Sequence, residues 1–140
     1  MEREFYLFLN SQNSKDLHPE NVSTDFTIDL PRAYSLEGDW ECALKEIEVS
    51  LKEDTLIVCS DICRESYAEN TMLPVLRVLR NASTKGRKRE TYFLFNDPFY
   101  VKVKADVLNS VRLFIRGRQL LTIAGDKSNV RCTLHLRKWK

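Results

Sequence analysis

Two histidines, four glycines and four prolines are all that the 140 residues hold of those types, and each scarcity removes a class of function. The glycines, at 38, 86, 117 and 125, are scattered, so neither a dinucleotide fingerprint nor a Walker loop can form around a phosphate. His18 and His135 lie in no local motif, whereas nucleophilic catalysis needs a Cys or Ser beside a base that a third group orients. The expectation is a protein with no catalytic residues and no cofactor. Long apolar runs are also missing. At the N-terminus only the five residues 5–9 are apolar and Glu2, Arg3 and Glu4 precede them, too short for a signal-peptide core or a membrane span. The chain is therefore expected to be made without secretion, in the cytoplasm or nucleus, with no membrane partner.

Neither charge sign dominates: 22 basic residues against 20 acidic ones leave +2, too little for the whole chain to act as a polyanion binder. Any basic function has to be local. Two such places exist, the cluster Lys85, Arg87, Lys88 and Arg89 and the tail Arg137, Lys138, Trp139, Lys140. Both also read as solvated surface. Base stacking would further need exposed aromatics, and most aromatics alternate as core residues, with Trp139 the main exception. Weak nucleic-acid binding or none is the expectation.

The four cysteines, Cys42, Cys59, Cys63 and Cys132, belong to a chain without a secretory signal and are expected to be reduced. A zinc site assembled from them with His18 and His135 fails on spacing. There is no C-x-x-C knuckle, Cys132 and His135 fall on opposite faces of one strand, and Cys42 shares a face with Trp40 and Leu44. Buried thiols acting as small hydrophobes account for them, and no metal is expected. In such a compartment the sequons at Asn21 and Asn81 stay unused.

What the chain does have is 43% hydrophobic residues, enough for one core and a single domain over residues 1–140. They recur with period two, the mark of half-buried strands. Phe5, Leu7 and Leu9 share one face with Tyr6 and Phe8 on the other, which predicts a strand covered on both sides. A polar loop then runs from 10 to 24. Phe26, Ile28 and Leu30 alternate with polar residues until Pro31 interrupts the ladder. The phase of Trp40, Cys42 and Leu44 shifts at Ile47 and Val49, which means a β-bulge; a helix over 41–48 is the competing reading, without a cap to start it. Short runs at 55–59, 74–79, 91–95 and 99–103 are of strand length. Val111, Leu113 and Ile115 alternate before Gly117, with 119–124 as the predicted hairpin partner. In the last strand Val130, Cys132, Leu134 and Leu136 face the core, while Arg131, Thr133, His135 and Arg137 face out. Eight or nine short strands without a long helix read as an all-β, antiparallel β-sandwich or barrel.

Several segments carry a resemblance. Residues 5–14, Phe-Tyr-Leu-Phe-Leu-Asn-Ser-Gln-Asn-Ser, are followed by His18-Pro19-Glu20-Asn21 leading to Phe26, and by Leu30-Pro31. Then come Leu36-Glu37-Gly38-Asp39-Trp40, running on to Leu44, Glu46 and Ile47, and the blocks 56–62, 73–78, 99–101 and 132–137. In this order they resemble the penton-like single jelly-roll minor capsid proteins of Polinton/Maverick elements and adintoviruses. The resemblance implies a virion structural protein that assembles as a homo-oligomer, a pentamer, among double jelly-roll major capsid proteins. The family's longer members carry extra strands where only residues 49–55 stand in this chain, so a compact or incomplete roll remains open. The alternative function is a virion-associated or host-domesticated binding module that contacts protein or nucleic acid through Lys85, Arg87, Lys88 and Arg89.

Overall fold

The computed structural model describes residues 3–51, 53–80, 89–125 and 129–139, without the side chains of Leu51, Arg89 and Glu90. Among the described residues eleven strands follow one another: β1 Glu4–Asn10, β2 Asp25–Ser35, β3 Trp40–Leu51, β4 Thr55–Ser60, β5 Ser66–Ala68, β6 Thr71–Leu73, β7 Val75–Arg80, β8 Arg89–Leu94, β9 Tyr100–Lys102, β10 Val107–Arg116 and β11 Arg131–Lys138. All pairings are antiparallel.

One sheet runs β1-β11-β3-β8, and β9 pairs with β3 on the same side as β8, the two acting as one broken strand. The other runs β2-β10-β4-β7. The chain passes from one sheet to the other at nearly every connection, and this interleaving is that of a complete jelly-roll sandwich. The short link between β3 and β4 suffices because it only crosses from sheet to sheet.

The core follows from the alternation. Leu7, Leu44 and Leu134 of the first sheet and Phe26, Val58 and Leu113 of the second belong to one buried cluster. The predicted bulge is present: Thr133 stands opposite Glu46 and Leu134 opposite Leu44, leaving Lys45 as the extra residue that resets the phase. Segment 41–48 is strand because β8, β9 and β11 satisfy its backbone from both sides, which outweighs its helix formers.

Two expectations need correction. Pro31 does not end β2, which continues to Ser35; the register with β10 breaks instead between Leu108 and Ser110, and the missing proline donor is harmless on an edge strand. Residues 119–124 form no hairpin strand: Arg118–Leu120 is a 3-10 turn, and only Thr122 bridges back to Arg116. The hairpin β5–β6 was not anticipated. Its turn places Glu69 and Asn70 at φ of 47° and 70°, and glutamate carries no sequence signal for that conformation. Leu73 and Val75, together with Leu120, cover Ile57, Cys59 and Phe114 on the outer face of the second sheet, which is why β4 is buried throughout.

Candidate interaction surface

The outer face of the first sheet gathers chemistry that the alternation sends away from the core. β1 contributes Glu4, Tyr6 and Phe8, β11 Arg131, Thr133, His135 and Arg137, and β3 Glu41, Glu46 and Glu48, side by side through the register. Tyr92 and Leu94 of β8 and Tyr100 of β9 complete it. Phe8 is 76% exposed and Tyr6 45%, so β1 is not covered on both sides as its composition suggested. Its outward residues sit between Glu4 and Asn10, and that polar framing was the available signal. Tyr67, Tyr92 and Phe99 are exposed as well, so Trp139 is not the main aromatic exception.

His135 points outward as expected, yet it is only 6% exposed. Tyr6 stacks on its ring with centroids 4.5 Å apart and Tyr100 meets it edge-on at 5.7 Å. Its Nδ1 lies 2.7 Å from the Tyr100 hydroxyl and its Nε2 2.9 Å from Glu4 Oε1. With Nε2 donating to Glu4 and Nδ1 accepting the Tyr100 proton, every polar group of the cluster has a partner. Neither nitrogen is left to act as a base on a substrate. Desolvation raises the Tyr100 hydroxyl above its ordinary value, and Arg137 lies 3.5 Å over the Tyr100 ring while donating to Glu41 at 2.6 Å. Thr133 is likewise buried beneath its neighbours, so facing outward on β11 does not mean facing water.

Beside this cluster lies a shallow cleft of about 330 Å³, lined by Phe8, Glu46, Glu48, Tyr92, Arg131 and Thr133. The Tyr92 hydroxyl donates to Glu46 at 3.3 Å. Aromatic rings and an arginine, residue types enriched in protein interfaces, stand here among two carboxylates.

Of the anticipated contact residues, Lys85, Arg87 and Lys88 lie outside the described residues, and Arg89 is placed only by its backbone at the start of β8, opposite Leu51. Asn81 lies outside them too. Val130, Cys132, Leu134 and Leu136 are all buried in the core, with Val130 just ahead of β11. His18 Nε2 lies 3.3 Å from Asp29 Oδ1 and its Nδ1 3.6 Å from Glu20. Among the described residues no group of three or more His, Cys, Asp or Glu is arranged to hold a metal ion.

All four thiols are free and buried. Burial pushes Cys59 and Cys132 up from 9.0 to about 12, and Cys42 is raised by a hydrogen bond with Cys63 and then by burial. Folded, these three thiols stay protonated where unfolded ones ionise. Their contribution to stability is complete below pH 9 and is lost as pH rises from 9 toward 12. Thermal melts should show a falling Tm across that interval, with slow thiol-reagent labelling in the native state and fast labelling in denaturant. Rapid native labelling of Cys132 would contradict the burial.

No protein-family model matches the chain, and no relative is found among curated proteins.

Proposed function

We propose that the chain is a structural subunit of a virion, a vertex-type minor capsid protein that forms pentamers and seats among double jelly-roll major capsid subunits. The observation that carries this reading is where the resembling segments fall. They occupy β1, the start of β2, β3, β4, the passage from β6 into β7, β9 and β11, in chain order and in both sheets. A likeness confined to a local motif would gather on one hairpin. A capsomer needs a stiff scaffold and broad contact faces without a reactive centre, and the outer face of the first sheet has that character.

Light scattering on the purified chain tests the reading. The expected mass is five times 16.4 kDa, and co-expression with the major capsid partner should place the protein at particle vertices in electron micrographs. A monomer at every concentration, absent from the particles, would defeat it. Changing Lys85, Arg87, Lys88 and Arg89 together to Ser should leave the pentamer intact and remove only a weak DNA affinity that falls steeply with salt. Tight DNA binding at physiological salt that vanishes in this variant would favour the binding-module alternative.

A further inference from the structure

Each sheet of an open sandwich ends in edge strands, and natural edges are normally blunted by charge, proline, bulges or a covering segment. Three edges of this molecule are. Along β2, Asn21 and Ser14 side chains occupy the main chain of Thr27 and the amide of Asp29, and Pro31 follows. β7 follows Pro74 and carries Arg77 and Arg80, and the β8/β9 edge is broken at residues 95–99.

β1 has such devices only at its ends, the charge of Glu4 and the Asn13 side chain on the Asn10 amide, and among the described residues no proline, bulge or covering segment blunts its middle. Its register with β11 is one-to-one from Glu4 to Asn10. Lys138 N donates to Arg3 O at 2.7 Å and Ser11 N to Val130 O at 2.8 Å, so the odd-numbered residues bond inward to β11. The even-numbered residues Glu4, Tyr6 and Phe8 therefore aim their N–H and C=O groups off the sheet, and among the described residues nothing meets them. These are also the residues whose side chains stand on the exposed outer face.

We propose that β1 pairs with β1 of a second copy, antiparallel and two-fold about Leu7, joining the two first sheets into one. Only even positions can exchange bonds across this edge, and centring on Leu7 sets Tyr6 opposite Phe8 twice and Glu4 opposite Asn10 twice. Phe5 then faces Leu9, and Leu7 faces Leu7, on the core side. No like charges meet. Centring on Tyr6 or on Phe8 shortens the overlap, and the first sets Glu4 against Phe8. Asn10 N–H is already bonded to Asn13 Oδ1, so the pairing runs chiefly through the Tyr6–Phe8 pairs, which are aromatic on the outer face. One strand pair buries less than the roughly 1,200 Å² of a stable interface, so the contact is weak and reversible. Being two-fold, it cannot close a ring of five; it joins chains of different rings, or free chains, and is tested apart from the ring mass.

The test uses register-specific cross-linking of the full chain. Opposed Tyr6 and Phe8 have Cα atoms about 5.5 Å apart, within disulfide reach. The native thiols are buried and give little background. Tyr6→Cys and Phe8→Cys chains mixed under a mild oxidant should give a covalent dimer at least ten-fold more abundantly than either variant alone. Phe8→Lys, which keeps Tyr6 on His135, should weaken self-association at least ten-fold with Tm unchanged. Equal cross-linking by one variant alone, no cross-link in the mixture, or undiminished association of Phe8→Lys would each overturn the proposal.

Discussion

Leu134→Asp should abolish soluble folding. Leu134 is fully buried at the centre of the first sheet, with Leu7 of β1 and Leu44 of β3 as its neighbours across the strands. Replacing it removes about 2–5 kcal/mol of packing and leaves a carboxylate without a partner, at a further cost of several kcal/mol. Together these consume a typical domain stability of about 5–15 kcal/mol. The adjacent change Thr133→Asp is the control. Thr133 stands opposite Phe8 and Glu46 on the other face and is itself only 7% exposed, so an aspartate there costs about 2–3 kcal/mol through desolvation and like-charge contact, but it removes no core packing and the protein still folds. Soluble yield, far-ultraviolet circular dichroism and denaturant titration of both variants decide the matter. Equal damage from the two would mean that the core side of β11 is not the side of Leu134.

The phase of β11 was legible because Val130, Cys132, Leu134 and Leu136 alternate strictly with polar residues, and a strand offers only two faces. The β3 bulge was legible for the same reason: skipping one residue between Leu44 and Ile47 moves every later apolar side chain unless the backbone absorbs it. What alternation cannot report is whether a face meets water. His135 and Tyr6 belong to the same outer face, yet the histidine is buried because the tyrosine stacks on it from another strand. Nor does local composition mark β5–β6, since the positive φ at Glu69 is imposed by the contacts of the hairpin and not by the residue's own preference. The loop before β2 misled most. Its polarity reads as solvated, yet Ser11, Asn21, Ser23 and Thr24 are buried in it. The interaction surface was only partly visible, as its residues come from five strands and meet only through the sheet order.

Asn21→Asp brings the second large loss, and it does so by exchanging one nitrogen for oxygen. Asn21 is 2% exposed and acts as a substitute neighbouring strand for β2. Its Oδ1 accepts the Thr27 amide at 2.9 Å, and its Nδ2 donates to Thr27 O at 2.9 Å and to Asn13 O at 3.3 Å. The same burial bars glycosylation of this sequon in the folded chain. An aspartate keeps the first bond but turns a carboxylate oxygen toward two carbonyl oxygens in a site closed to water. The expected cost at neutral pH is about 3–4 kcal/mol, near that of a buried charge left partly unpaired. Burial and the carbonyl dipoles raise the new carboxyl's folded pKa above the unfolded value, so its neutral form is favoured in the folded state. The sign follows: the penalty is full well above the folded pKa and shrinks as pH falls through it, because a protonated oxygen can again donate. The gap in denaturation midpoint between variant and parent should therefore narrow on acidification. Asn21→Ala, which loses all three bonds but adds no charge, should show a gap that does not depend on pH. A pH-independent gap for the aspartate variant would mean that water reaches this loop and that the edge of β2 is not sealed by Asn21.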